Sequence, residues 1–298
     1  CNSGAEANEA AIKLARKYYK DRAMPERYRI ITMEGSFHGR TMATLAATGQ
    51  DKIKKGFDPL LEGFDTVPFN DLEAVRRAVT PETCGVMLEP IQGEGGVRCP
   101  SDGYLAGLRE LCDEKDLLLI FDEIQTGMGR TGKLFAYEHF DCNPDVMTLA
   151  KAMANGLPMG AMLATERMAE AFGPGSHATT FGGTPLVASA ALAVAKALED
   201  GSVLENCRRV GDHFKKRLLD LQSKHDVIRE VRGSGLLVGL DMQIECGDIV
   251  KECLQRGFLV NCAQGHVLRF VPPLVIEQAE VDKLIDCLDS LLTDVSSA

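Results

Sequence analysis

The chain has 298 residues, 45% hydrophobic and 26% charged, enough for one large or two ordinary domains with a sizeable core and unlike a disordered or fibrous protein. Its 33 basic and 43 acidic residues give a formal charge of −10. That balance argues against nucleic acid or an anionic membrane as the main partner and leaves room only for a local basic pocket that takes an anionic ligand.

Near the start, Ser3 and Glu6 have the spacing of a capping box ahead of a helix whose apolar face includes Ala11, Leu14, Ala15 and Tyr18. Such a start offers unpaired amides and the positive end of a helix dipole, and Gly4 lets a phosphate approach the backbone. The signal is weak alone, because many capped helices bind nothing. Strand-like apolar runs at 29–33, 85–88, 117–121, 146–150 and 161–164 alternate with amphipathic stretches. This alternation predicts an α/β layer, a mainly parallel sheet with helices on both faces. An alanine-rich helix is expected over 185–199 and a second to about 223. Beyond it, runs at 227–231, 235–241, 258–261 and 267–271, with helices near 248–256 and 277–292, predict a smaller C-terminal α/β domain. The expected division is 1–199 and 200–298.

The ten cysteines include no Cys-x-x-Cys, which reads as reduced, mostly buried thiols of a cytosolic protein rather than a disulfide framework or a zinc site. No apolar stretch approaches membrane-spanning length and no signal peptide is visible. The chain opens at Cys1, already inside a motif, so it is expected to be N-terminally incomplete.

Four segments carry candidate chemistry. Phe37-His38-Gly39-Arg40 comes after a strand; its aromatic could stack on a planar ring and its arginine could clamp a carboxylate, against the plainer roles of core packing and a solvated helix start. Glu89-Pro-Ile-Gln-Gly-Glu94-Gly-Gly places two carboxylates five apart in a glycine-rich loop after a strand, where α/β proteins bind ligands. Thr179-Thr180-Phe-Gly-Gly could offer a hydroxyl and amides to a phosphate. Finally, Asp122 ends one apolar run and Lys151 succeeds another. A lysine amine and a carboxylate delivered by buried strands suit pyridoxal phosphate, the amine as a Schiff-base partner and the carboxylate to keep the pyridine nitrogen protonated. Gln125, three residues after Asp122, could reach the phenolic oxygen. Taken singly, Asp122 would cap a turn and Lys151 would be a surface lysine; the flanking segments favour the cofactor.

With these motifs in order, the chain resembles the class III, fold-type I aminotransferases, and within them the acetylornithine group. The matching strings are Cys1-Asn-Ser-Gly-Ala-Glu-Ala-Asn-Glu-Ala, Phe37-His-Gly-Arg, Glu89-Pro-Ile-Gln-Gly-Glu-Gly-Gly-Val, Asp122-Glu-Ile-Gln-Thr-Gly-Met-Gly-Arg-Thr-Gly, Ala150-Lys151, Thr179-Thr-Phe-Gly-Gly, Arg232-Gly-Ser-Gly-Leu-Leu and Leu268-Arg-Phe-Val-Pro-Pro-Leu. The resemblance implies a cytoplasmic, pyridoxal-phosphate-dependent ω-aminotransferase of arginine biosynthesis that moves the terminal amino group of N2-acetylornithine to 2-oxoglutarate. Ornithine, succinylornithine and 4-aminobutyrate are alternative donors, and a non-enzymatic cofactor-binding subunit or an incompetent fragment is the alternative of another class. It further implies Lys151 as the Schiff-base lysine and Asp122 as the partner of the ring nitrogen. Gln125 would contact the phenolic oxygen, Gly4 and Ala5 the phosphate, and Phe37 the ring face. Arg40, Thr179, Glu94 and Arg269 fall on the substrate side, with Arg269 binding the α-carboxylate and Glu94 pairing with it when the ω-amine is bound. Thr180 would reach the other subunit's phosphate, which implies a homodimer. Thr184 stands where the family usually has Asn.

Overall fold

The computed structural model describes residues 1–296. Two compact units emerge, the first from Cys1–Pro90, Pro100–Met128 and Phe135–Ala197, the second from Ile91–Cys99, Gly129–Leu134 and the chain from Leu198 onward. The single cut expected near residue 200 is therefore incomplete, because residues 91–99 and 129–134 belong to the second unit. Their reason is packing: Ile91 and Val97 are buried with Leu237, and the Leu236 amide donates to the Arg130 carbonyl. Proximity along the chain cannot reveal such partners.

The first unit holds a six-stranded sheet in the order β2-β1-β3-β4-β5-β6. Its strands are β1 (Arg29–Met33), β2 (Phe64–Val67), β3 (Thr83–Leu88), β4 (Leu118–Asp122), β5 (Val146–Leu149) and β6 (Ala161–Ala164). The first five are parallel and β6 runs antiparallel to β5. β2 has no counterpart among the apolar runs because it is an edge strand whose Asp65 pairs with Arg29 of β1. Parallel neighbours need crossovers, and the helices are α1 (Gly4–Asp21), α2 (Met42–Ala47), α3 (Asp51–Lys54), α4 (Leu72–Ala78), α5 (Tyr104–Lys115), α6 (Glu166–Ala169) and α7 (Pro185–Glu199). Successive residues of β4 face opposite sides. Leu119 and Phe121 pack with Val75 of α4 and Leu105 and Leu108 of α5, while Leu118 and Ile120 pack with Ala11, Leu14 and Tyr18 of α1. Helices thus cover both faces, as the pattern predicts.

The second unit contains α8 (Ser202–Gln222), β7 (Ile228–Ser234), β8 (Leu237–Met242), α9 (Gly247–Gln255), β9 (Asn261–Ala263), β10 (Val267–Phe270) and α10 (Gln278–Ser296). Its sheet, ordered β7-β8-β10-β9, is antiparallel throughout. Phe214, Leu218, Leu240, Leu268, Phe270 and Leu288 form its core. The strand expected over 258–261 starts only at Asn261, the partner of Arg269 on β10. Leu259 is 89% exposed, so the apolar run before it is not a buried strand.

One cysteine expectation is overturned. Cys246, just before α9, and Cys262 of β9 form a disulfide with their Cα atoms 5.9 Å apart; the other eight are thiols. Sixteen residues separate the pair, a spacing that gives no sequence signature, and only the packing of β9 beside the start of α9 joins them. Among the described residues no helix is long and apolar enough to cross a membrane.

Candidate active site

The sheet of the first unit ends in a cavity of about 460 Å³. Its lining comes from the segments just beyond the central strands: Phe37, His38 and Arg40 after β1, Glu89 after β3, Asp122 and Gln125 from the end of β4, and Lys151 after β5. Ser3, Gly4 and Ala5 at the start of α1 complete the wall. Carboxyl ends of parallel strands are where α/β sheets leave a crevice, and the volume lies in the range of small-molecule sites. Seven of the eleven residues singled out from the sequence therefore line one cavity: Gly4, Ala5, Phe37, Arg40, Asp122, Gln125 and Lys151.

α1 starts there because Ser3 takes an extended conformation and its hydroxyl accepts the Glu6 amide at 3.2 Å. The reciprocal half of the expected capping box is shifted by one residue, since the Glu6 carboxylate accepts the amide of Asn2 at 2.5 Å and its side-chain amide at 2.8 Å. Gly4 fits closely against the turn after β4, because a Cβ at this position would lie 2.7 Å from Ile124 Cδ1 and the side chain would have to shift. The helix start is thereby seated against Ile124 in the turn after β4.

Asp122 sits 2% exposed in a hydrogen-bond network that its sequence motif does not announce. Its Oδ2 accepts from Asn8 Nδ2 and from His38 Nδ1, each at 2.8 Å, and its Oδ1 accepts the Ile124 amide at 3.1 Å. A carboxylate only accepts, so His38 must carry its proton on Nδ1. Asn8 is fixed in turn by the Thr148 hydroxyl, which donates to its Oδ1 at 2.7 Å, and it also donates to the His38 carbonyl at 2.7 Å. A signal for Asn8 existed: it lies on the apolar stripe of α1 with Ala11 and Ala15, and a polar residue on a buried face calls for a partner. Thr148 was hidden inside an apolar run.

Lys151 comes after β5 with φ of +45°, in the left-handed region. A non-glycine residue held there stores on the order of 1–3 kcal/mol and persists where surroundings over-determine it. Phe37 donates its amide to the buried Glu89 at 3.2 Å, and the Arg40 guanidinium lies over the Phe37 ring, 5.6 Å from its centroid.

Four expected residues do not line this cavity. Thr179 accepts a hydrogen bond from Asn2 Nδ2 at 2.7 Å beside the start of α1, and Thr180 is exposed next to it. Glu94 and Arg269 belong to the second unit, where Arg269 donates to Glu94 Oε1 at 2.7 Å.

The family profile described as Aminotransferase class-III matches residues 1–292. The chain belongs to the class III aminotransferases. It is 49% identical to the acetylornithine aminotransferase of Methanocaldococcus jannaschii over 99% of this chain and 74% of that one. Its fold matches an N-acetylornithine aminotransferase from Stenotrophomonas maltophilia with a TM-score of 0.84 at 37% identity, covering 100% of this chain and 75% of that one. It also matches the ornithine aminotransferase of Toxoplasma gondii at 0.94 and 34%, covering 100% and 72%; that structure has partial occupancy of PLP at its active site.

Proposed function

We propose that this class III aminotransferase uses pyridoxal phosphate to move the terminal amino group of N2-acetylornithine to 2-oxoglutarate, giving N-acetylglutamate 5-semialdehyde and glutamate. The observation that carries the proposal is the cavity lined by Lys151, Asp122 and the start of α1; the choice of substrate rests on the 49% identical acetylornithine relative. The residues fit the cofactor. Asp122 is a buried carboxylate whose Oδ1 accepts a single hydrogen bond among the described residues, leaving a lone pair for a ring N–H. The first amides of α1 suit a phosphate, and the Phe37 ring suits stacking.

Pyridoxal phosphate, when bound, supplies an electron sink for charge that develops on the substrate carbon. Lys151 would hold it through Nζ, and the same amine, when free, would take the proton from the amine-bearing carbon of the substrate. Asp122, held by Asn8 and His38, would face the ring nitrogen, and Gln125 would contact the phenolic oxygen. Arg40 holds the carboxylate of the ω-amine donor, with Thr179 on the same substrate side. Arg269 takes the α-carboxylate of 2-oxoglutarate or glutamate as a bidentate fork. During the ω-amine half-reaction Glu94 neutralises it, and the 2.7 Å pair supports this closed state. In a homodimer, Thr180 extends to the partner subunit's phosphate.

Two measurements test this. Borohydride reduction of the yellow holoenzyme and subsequent peptide mass spectrometry should find the cofactor on Lys151; any other lysine overturns the site. Single-turnover kinetics should show N2-acetylornithine reacting faster than ornithine or 4-aminobutyrate, and Arg269→Ala should hurt the 2-oxoglutarate half-reaction by roughly 2–5 kcal/mol. A preference for ornithine would move the chain to the ornithine aminotransferase function.

A further inference from the structure

The Glu94 loop is gripped by the sheet of the second unit at three points. Arg232 of β7, Gly239 of β8 and Arg269 of β10 lie in one row across that sheet, Gly239 pairing with both arginines. Residues paired in this way project to the same face. Between two long side chains the glycine leaves a notch, and Val97 fills it: a Cβ on Gly239 would lie 2.9 Å from the Val97 Cβ. On one flank Arg232 Nε donates to the Gly96 carbonyl at 3.0 Å, while its Nη1 is anchored on Asp241 at 2.8 Å and Glu230 at 2.6 Å. On the other flank Gln264 Nε2 donates to the Glu94 carbonyl at 2.8 Å, and Arg269 takes the Glu94 carboxylate. Gln92 and Arg98 close the base of the loop through reciprocal backbone hydrogen bonds.

Val97 itself is fully buried with φ of +51°. A β-branched residue is an outlier in that region and is held there only when its surroundings leave no alternative. The grip on both sides of it supplies that constraint.

We propose, resting on the substrate-exchange reading of Glu94 and Arg269 above, that Arg232, Gly239 and Gln264 are positioning residues for substrate selection. They hold the main chain of residues 94–97 against the sheet, so opening the Glu94–Arg269 pair is a rotation of the Glu94 side chain and not a movement of its loop. Rigid main chain keeps the carboxylate within reach of Arg269 and makes the closed state the default. A loosened loop leaves Arg269 exposed for more of the time, which favours the α-carboxylate of 2-oxoglutarate over the ω-amine.

The test compares Gln264→Asn, Gly239→Ala and Glu94→Ala in the holoenzyme. Asn tolerates the left-handed backbone of Gln264, φ +53°, but is too short to reach the Glu94 carbonyl. Ala at 239 pushes on Val97 while leaving every polar contact chemically intact. Amide exchange of the peptide covering residues 94–97 should rise by about tenfold in both loop variants. The ratio of single-turnover rates with 2-oxoglutarate and with N2-acetylornithine should shift toward 2-oxoglutarate by roughly fivefold, in the same direction as for Glu94→Ala. A structural role alone would slow both half-reactions equally, and that result overturns the inference, as does unchanged exchange. If Glu94→Ala shifts the ratio and the loop variants do not, the inference fails alone. If Glu94→Ala leaves the ratio unchanged, the exchange reading fails and takes the inference with it.

Discussion

Asp122 and its neighbour Glu123 are both buried acids, and their surroundings give them different work. Asp122 is tied to two side-chain donors and one amide, which hold its charge in one orientation. Replacing it with Asn sets an NH2 against donors and removes the charge facing the ring. Turnover should fall at least ~10²-fold, about 3 kcal/mol of barrier, with cofactor still bound. A near-normal rate would remove Asp122 from the chemistry. Glu123 instead accepts the amides of Ala136 at 2.7 Å and Tyr137 at 2.9 Å and the Thr126 hydroxyl at 3.0 Å, fastening a turn of 3-10 helix at 136–139. Burial pushes its carboxyl up from the ordinary 4.5 to about 7, and those three donors limit the rise. Below 4.5 both folded and unfolded forms are protonated; above 7 both are ionised and the fold carries the cost of a buried charge. Stability attributable to Glu123 is therefore lost as pH rises from 4.5 to 7, by roughly 3 kcal/mol. Urea unfolding of the parent and of Glu123→Gln across this window should show the parent declining relative to the variant; a constant difference would refute the assignment.

At the scale of elements, the site depends on where α1 begins. Its first turn is set by Ser3, by the Glu6–Asn2 contacts and by the fit of Gly4 against Ile124. Gly4→Ala would force Ile124 or the helix start to move by several tenths of an ångström. Because the amides there are assigned to the phosphate and not to proton transfer, the expected result is weaker cofactor binding, by about tenfold, with kcat at saturating pyridoxal phosphate largely kept. Titration of the apoenzyme with pyridoxal phosphate, monitored by absorbance, reads this directly. Unchanged affinity would mean that α1 does not contribute to the phosphate site.

For the whole molecule, the strongest surface feature of the first unit is α7 and the segment before it. Phe181, Leu186 and Leu192 are 71%, 72% and 61% exposed. Large apolar side chains left open to solvent suit a contact surface, in keeping with the proposed homodimer in which Thr180 would reach a second cofactor. Sedimentation should show a dimer, and the double variant Leu186→Glu, Leu192→Glu should dissociate it and weaken cofactor retention. A dimer that survives both charges would place the interface elsewhere.

The alternation of apolar runs with amphipathic stretches was enough to determine a mainly parallel sheet covered on both faces, because the periods of strands and helices are local properties of the chain. Short strings around Gly4, Phe37, Asp122 and Lys151 likewise marked residues that prove to share one cavity, since each lies at the end of a recognisable element. Tertiary structure alone decided the rest. β2 gains its place from a neighbour's Arg29, Asn8 and Thr148 acquire meaning only once they meet Asp122, and Cys262 finds Cys246 across sixteen residues. The loop at 91–99 belongs to the second unit because Val97 fits the notch at Gly239, a complementarity of shape between segments more than 140 positions apart that no local pattern encodes.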